Sequence, residues 1–245
     1  MYHERTQSGN PHKLTINQHV FPVASIARFA AGDGFVSVCL HKTGKVIRLR
    51  PQNELFCAKR VWNQISEQGY MRKIEDDFQE VAKRIADGTR CLTPHEERRV
   101  SLFYALCRLR AESRASPPPD AKLDVLPGTA MTKDAEEILE KNGYIFTRGT
   151  TIPSRHIAGI RIQALLHRLC PPNTTWAVVF SRTIEFLVPD NFGEIGIVPL
   201  SPNICLVANV TGGEISSENA IEVNKIAIQK STTYYFARSF ESCGV

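Results

Sequence analysis

The distribution of apolar and polar positions predicts a β-hairpin near the N-terminus. Segments 35–40 and 45–50 are rich in β-branched and apolar residues, and they flank a short turn that contains Gly44. Charged and apolar side chains are mixed on both faces of the second segment. This mixture is typical of an edge strand, where charges discourage further pairing.

The same distribution changes to helical spacing in the middle of the chain. Within segment 67–86, apolar residues recur at Ile74, Phe78, Val81 and Ile85, which predicts one buried stripe on a helix. The sequence Thr93-Pro94-His95-Glu96 is a capping box, and it predicts that a second helix begins there and runs to about residue 113. Further helices are predicted over 133–142, 154–170 and 217–230.

The C-terminal third returns to β-rich runs. Four short runs, 176–180, 184–188, 195–198 and 204–208, are separated by turn residues, which is typical of an antiparallel sheet. The whole pattern predicts an α+β fold with an N-terminal β-hairpin, central amphipathic helices, and C-terminal antiparallel strands with a closing helix.

The length of 245 residues suits one large domain or two small ones. The sequence predicts a single α+β domain over residues 14–238, or a division of that range at the proline-rich stretch 115–132. Three consecutive prolines in that stretch cannot continue a helix. Residues 1–13 are polar and are predicted to form a loose tail.

The amino-acid composition indicates the class of protein and the cellular compartment. The chain is 42% hydrophobic and 22% charged, as globular proteins are. It contains no apolar run of about 18 residues that would span a membrane, and the N-terminus lacks a signal-peptide pattern. The seven cysteines form no C-x-x-C pair and favour buried thiols in a reducing compartment. We therefore expect a cytoplasmic protein without membrane contact, and the oligomeric state stays open.

The net charge of +5 is unevenly distributed. Residues 1–115 contain 19 Lys and Arg against 12 Asp and Glu, a net charge of +7, whereas the remainder has a net charge of −2. A basic N-terminal half favours contact with a phosphate backbone or with an acidic protein. Arg48 and Arg50 therefore either bind phosphate or only protect the edge of the hairpin.

Several polar residues are candidates for chemistry, and each has a structural alternative. His19 is a candidate general base or metal ligand, or a histidine bonded to the backbone. Asp190 and Asn191 form either a reactive group or a stabilised turn. For Glu75 the structural alternative is a solvated charge on a helix, and for Asn224 it is a buried amide that makes hydrogen bonds.

Four familiar motifs are absent from the chain, namely G-x-x-x-x-G-K-[ST], G-x-G-x-x-G, G-x-S-x-G and H-E-x-x-H.

These residues lie in an order that resembles the bacterial domain of unknown function 4238 family. The likeness rests on Gln18-His19-Val20-Phe21-Pro22 with Arg28-Phe29-Ala30, on Ile74-Glu75, on Leu102 to Leu106 with Arg110, on Pro189-Asp190-Asn191-Phe192, on Pro199-Leu200-Ser201-Pro202, and on Asn224. In the family's usual pattern Tyr-Val stands in place of Val20-Phe21, and Ser and Pro stand in place of Pro189 and Phe192. The resemblance implies a shared α+β fold without an established activity.

The resemblance also implies that seven polar residues converge on one cleft, namely His19, Arg28, Glu75, Arg110, Asp190, Asn191 and Asn224. A set of polar residues that is scattered in sequence but gathered in space is what an active site requires.

We therefore hypothesise an enzyme that processes phosphate esters, and in particular a nuclease that acts on RNA or DNA. His19, Glu75, Asp190 and Asn191 are its candidate catalytic residues, with an unidentified cofactor that includes a divalent metal among the options. The candidate substrate-binding residues are Gln18, Arg28, Arg48, Arg50, Arg110 and Asn224, since guanidinium groups match phosphate oxygens. The alternative is a non-catalytic module that binds nucleic acid or protein through its basic N-terminal half. A third reading is a purely structural cluster around His19.

Overall fold

The computed structural model describes residues 4–170 and 173–245. The helices are α1 (Val23–Ala27), α2 (Gln64–Ser66), α3 (Arg72–Ala86), α4 (Pro94–Ala115), α5 (Lys133–Lys141), α6 (Ser154–Leu166) and α7 (Ser217–Lys230). The strands are β1 (Asn17–His19), β2 (Val36–Leu40), β3 (Val46–Leu49), β4 (Cys57–Lys59), β5 (Ala121–Lys122), β6 (Thr151–Ile152), β7 (Trp176–Phe180), β8 (Val188–Pro189), β9 (Ile197–Ser201), β10 (Ile204–Ala208), β11 (Gly213–Glu214) and β12 (Tyr234–Ala237). The predicted α+β fold class is confirmed.

The predicted hairpin is formed by β2 and β3, which pair antiparallel from Val36 opposite Leu49 to Cys39 opposite Val46. Its sheet has the order β3-β2-β12-β8, so strands from the end of the chain complete it. β3 lies at the edge of this sheet, as the mixed charges of its sequence predict.

The second large sheet has the order β11-β7-β10-β9 and contains the predicted strands 176–180 and 204–208. The prediction of a strand over 184–188 is wrong for most of its length, because only Val188 joins a strand, and that strand belongs to the hairpin sheet. The backbone N–H groups of residues 185–187 are bonded elsewhere. Glu185 donates to Ser242, Phe186 to Pro202 and Leu187 to the side chain of Asn224.

The two central helices pack against each other as their sequences predict. Phe78, Val81 and Ile85 of α3 are buried, and the ring of Phe78 stacks on that of Phe103 in α4 with 3.6 Å between centroids. Helix α4 begins with the predicted capping box, in which Thr93 and Glu96 bond each other's backbone. The segment Glu67–Met71, which joins α2 to α3, is π-helical and contains the non-helical Gly69.

The largest core cluster draws residues from Phe21 to Phe236 and therefore from both sides of the stretch 115–132. A second cluster joins Val20, Trp62 and α4 to α6. Six of the seven cysteines are buried, as their apolar surroundings predict, and Cys91 is exposed. Across 4–170 and 173–245, no helix combines the length and apolar character that crossing a membrane requires.

The sequence predicts a loose tail over residues 1–13, of which 1–3 lie outside the described residues. From Glu4 onward this segment contacts α5. The backbone N–H of Gln7 donates to Glu137 at 2.8 Å, and His12 Nε2 lies 2.8 Å from Asp134 Oδ1. Residues 4–12 are therefore held against the domain by polar contacts, although they contain no helix or strand.

Candidate functional site

His19 ends β1, which pairs with β4 so that His19 faces Cys57. Burial lowers the pKa of His19, and the charge of Arg110 lowers it further, while a hydrogen bond to the backbone of Pro51 and the charge of Glu75 act in the opposite direction. Nε2 of His19 is buried and has no hydrogen-bond partner among the described residues. The net result is a neutral imidazole at pH 7.

Arg110 is the centre of a buried ionic cluster beside His19. Its guanidinium is 1% exposed, donates to Glu75, lies 3.4 Å from Glu67 Oε2, and stacks 5.3 Å from the ring centre of Trp62. Burial raises the pKa of Glu75, and the charge and hydrogen bond of Arg110 oppose that rise. The structure thus brings together three predicted site residues, His19, Glu75 and Arg110, which we call the His19 cluster.

Arg28 adjoins the His19 cluster through Gln79. Its guanidinium donates to the side-chain oxygen of Gln79, and Nη1 lies 3.4 Å from Ser25 Oγ. Gln79 is one turn after Glu75 on α3, so the two side chains are neighbours on one helix face. Burial lowers the pKa of Arg28. Within the described chain, no carboxylate forms an ion pair with this guanidinium.

Two predicted residues, Gln18 and Asn224, use their amides to bond backbone groups. The side-chain oxygen of Gln18 accepts from Val61 and Trp62, and its nitrogen donates to Trp62 O at 2.7 Å. Asn224 lies in a different part of the fold, where it accepts from Leu187 and donates to the carbonyls of Glu185 and Cys243. Both amides connect chain segments that are distant in sequence.

The predicted substrate-binding arginines of the hairpin, Arg48 and Arg50, lie on the surface. Their guanidinium carbons are 5.5 and 4.8 Å from the ring centre of Phe35, and Arg48 also pairs with Asp33 at 2.6 Å. Both side chains are exposed, and neither contacts the residues of the His19 cluster in the hydrogen bonds and ion pairs of the described chain.

Asp190 and Asn191 form a turn directly after β8. The carboxylate of Asp190 accepts the backbone N–H groups of Thr232 (2.7 Å) and Thr233 (2.9 Å) and the hydroxyl of Thr232 (3.0 Å). Asn191 Oδ1 accepts from the backbone of Gly193, as turn asparagines do. These two residues do not join the His19 cluster, and they line a cavity instead.

The cavity has a volume of about 860 Å³, which lies within the range of small-molecule and cofactor sites. Its wall is formed by β4, by the last turns of α4, by the start of α6 and by the turn of Asp190. The charged residues in the wall are five cations, Lys59, Arg60, Arg114, Arg148 and Arg155, and four carboxylates, Glu4, Glu112, Asp120 and Asp190. Helix α4 also contributes Arg110 to the His19 cluster, and β4 pairs with the strand that carries His19, so the two sites adjoin.

Two of the cavity's arginines are almost completely buried. Arg60 is 4% exposed and Arg155 is 2% exposed, and both donate to Glu140 Oε2, at 2.6 and 2.8 Å. Within the described ranges, Nε of Arg60 and Nη2 of Arg155 are buried without a hydrogen-bond partner. A buried donor without a partner is costly, and both of these N–H groups are enclosed within the cavity wall.

Residue-based reasoning does not identify these arginines or their partners. Glu140, which accepts from both arginines, lies on α5 and resembles a residue of a solvated helix face in the sequence, yet it is 2% exposed. One signal is available, since Arg155 follows Pro153 at the start of a largely apolar helix. The site forms only when α5, α6 and the segment after β4 come together in the fold.

The part of the chain that the structure describes contains no cluster of side chains that would bind a metal ion. No group of three or more His, Cys, Asp or Glu side chains there is placed to hold an ion.

No family model, no curated protein and no solved structure matches this chain. The resemblance to the domain of unknown function 4238 family therefore stays a prediction, and the residues themselves provide the functional argument.

Proposed function

We propose that this protein is a phosphate-ester-processing enzyme that binds a nucleotide or a nucleic acid in the cavity. The observation on which this rests is the pair of nearly buried arginines, Arg60 and Arg155, whose positive charges lie in the wall of the cavity. Guanidinium groups match phosphate oxygens in geometry and stay charged when buried.

The size and the remaining wall of the cavity support the same class of ligand. A volume of about 860 Å³ accommodates a nucleotide, because pockets for ligands of that size measure roughly 300–1,000 Å³. Arg114 and Lys59 add positive charge beside the buried pair, while Asp190 and Asn191 provide polar groups for hydroxyl or base contacts.

Two residues are candidate general bases in the proposed hydrolysis. Asp190 lies in the cavity wall, where its carboxylate accepts three hydrogen bonds. The His19 imidazole is neutral at pH 7 and lies in the adjoining His19 cluster, on the strand that pairs with the cavity's β4. Substitution of each residue distinguishes the two assignments.

The first test is incubation of the purified protein with labelled RNA and DNA, with and without EDTA. Asp190→Asn and His19→Gln variants, shown to be folded by circular dichroism, are assayed beside the parent and beside Arg168→Gln, an exposed arginine far from the cavity lining. We expect cleavage by the parent and by Arg168→Gln, and at least about a 100-fold lower rate in the variant that removes the base. The EDTA samples report whether a divalent metal takes part.

Two experimental outcomes would contradict the proposed function. If the parent neither cleaves nor binds nucleotides, RNA or DNA, the proposed function is wrong. If it binds saturably without cleavage, and Asp190→Asn retains binding, the protein is a binding module and the enzymatic part is wrong.

A second candidate function, nucleic-acid binding by the hairpin, is favoured by its exposed cations. Lys42, Lys45, Arg48 and Arg50 are all exposed on one short element. Here a Lys45→Gln/Arg50→Gln variant lowers affinity and reduces its salt dependence, whereas cavity variants leave affinity unchanged. The two candidates are thus separated by which variant loses binding.

A further inference from the structure

Arg155 is held by two carboxylates that come from distant parts of the chain. Nε donates to Glu140 on α5 at 2.8 Å, and Nη1 donates to Glu4 at 2.5 Å. Its Nη2 is buried without a partner in the described chain. One edge of a nearly buried guanidinium in the cavity wall is therefore satisfied by the N-terminal segment.

Two further cations converge on the same Glu4 carboxylate. Arg148 Nη2 donates to it at 2.5 Å and Arg148 Nη1 at 3.2 Å, and Lys133 at the start of α5 also pairs with it. Burial alone would raise the pKa of Glu4, but the hydrogen bonds from Arg148 and Lys133 and the charges of Arg155 and Arg148 together lower the pKa to about 2. We call Glu4, Lys133, Arg148 and Arg155 the Glu4 site.

The charge balance around the Glu4 site depends on Glu4. The cations in and beside it are Arg60, Lys133, Arg148 and Arg155, and the helix α5 supplies three carboxylates that pair with them, Glu136, Glu137 and Glu140. The fourth negative charge is that of Glu4. Without it, one positive charge in the site lacks compensation, and several N–H donors lose their acceptor.

The position of Glu4 allows another anion to replace its carboxylate. It belongs to segment 4–12, which contains no helix or strand, and its side chain is 26% exposed while that of Arg155 is 3% exposed. The cations are held on α5, α6 and the turn before β6, so they remain in place when the carboxylate leaves. A tethered carboxylate on fixed cations resembles a bound anion.

We propose that Glu4 occupies, in cis, a subsite for the terminal phosphate of the ligand, and that a phosphate monoester displaces it. This inference rests on the proposed function and specifies the ligand as one with a phosphate end. A monoester has three free oxygens, which suits the donors of Lys133, Arg148 and Arg155 that Glu4 releases. An internal phosphodiester has one charge and two free oxygens, and therefore leaves donors unsatisfied.

The test compares Glu4→Gln with the parent and with Glu112→Gln. Glu112 also lines the cavity but pairs with Arg108 instead of the Glu4 site, so its substitution controls for the loss of one negative charge. Binding is measured by calorimetry at pH 8 with inorganic phosphate, and with one oligonucleotide that has either a 5′-phosphate or a 5′-hydroxyl.

We expect the parent to prefer the 5′-phosphate and Glu4→Gln to bind phosphate and the phosphorylated oligonucleotide at least about 10-fold more tightly, a change of about 1.4 kcal/mol. Glu112→Gln is expected to change affinity less than about threefold. If Glu4→Gln only lowers the melting temperature and gains no affinity, Glu4 is a structural clamp and the inference is wrong.

The failures of the two proposals differ. If both oligonucleotides bind equally well to the parent and to Glu4→Gln, the protein binds nucleic acid and only the phosphate subsite is wrong. If Glu4→Gln gains affinity for inorganic phosphate but no protein binds either oligonucleotide, the subsite stands and the proposed nucleic-acid ligand is wrong.

Discussion

His156 is a residue whose charge state depends on its burial. Its Nδ1 lies 3.1 Å from Asn63 Nδ2, its ring packs edge-on against Phe146, and Nε2 has no partner within residues 4–170 and 173–245. Burial is the main cause that lowers the pKa of His156, and the charges of Arg155 and Arg60 add to it, giving a value of about 4. The imidazole is therefore neutral in the folded protein at pH 7.

This shift predicts a loss of stability in mild acid. The unfolded chain takes up a proton near pH 6.5 and the folded chain only near pH 4, so the contribution of His156 is complete above pH 6.5 and decreases as the pH falls towards 4. Between pH 7 and pH 5 the decrease is about 2 kcal/mol. Urea unfolding of the parent at both pH values measures it.

The matched variants separate His156 from the carboxylates that also titrate in acid. His156→Gln should lose less stability between pH 7 and pH 5 than the parent does, by about 2 kcal/mol, whereas His95→Gln, at an exposed position, should behave as the parent. Equal losses in all three proteins would show that His156 does not contribute.

At the scale of elements, helix α6 approaches α2 closely at Gly159. A Cβ atom built on Gly159 would lie 2.3 Å from Ser66 Oγ and 2.8 Å from Asn63 Oδ1. Asn63 Oδ1 caps α2 by accepting from the backbone of Ser66, and Tyr70 donates to the carbonyl of Gly159 at 2.9 Å. Glycine is thus required by the contact between the two helices.

Gly159→Ala should destabilise the fold by about 1–3 kcal/mol, because the methyl group has no space and its neighbours include a helix cap. Alanine is otherwise about 1 kcal/mol better than glycine inside a helix, so a stabilised variant would contradict the close approach. Gly32→Ala is the control, since nothing lies within 4 Å of the corresponding Cβ. Urea unfolding compares the two variants with the parent.

Elements with local signals are predicted well, and those that depend on distant partners are not. The hairpin and the capped helix α4 follow from periodicity and capping residues within a few positions. Segment 184–188 has a β-rich sequence, but its N–H groups bond residues 202, 224 and 242. Local propensity does not determine strand pairing when the partners lie elsewhere in the chain.

The candidate site also contains residues whose proximity the sequence indicates and residues whose role depends on distant partners. The resemblance implies one cleft for seven residues. Glu75 and Arg110 bond each other close to His19, but Asp190, Asn191 and Asn224 lie elsewhere. Arg60 and Arg155 are not recognisable in the sequence, because each requires Glu140, 80 and 15 residues away, to become a buried ion. A charged residue is normally solvated. Only the folded arrangement shows which charges are enclosed.

The two core clusters extend across the chain and should unfold together. The largest cluster combines residues before 115 and after 132, and it shares α4 with the second cluster. Helix α4 therefore contributes to both cores. Because one rigid helix belongs to both, we expect a single cooperative unit over residues 14–238.

The chain's two tryptophans report on this directly, since Trp62 lies in the second cluster and Trp176 in the largest. In a Trp176→Phe protein, fluorescence follows Trp62 alone, and in Trp62→Phe it follows Trp176 alone. Within each variant we expect the urea midpoint from fluorescence to coincide with the midpoint from far-ultraviolet circular dichroism. Separate midpoints would mean that the clusters unfold independently and that the division at 115–132 defines two units.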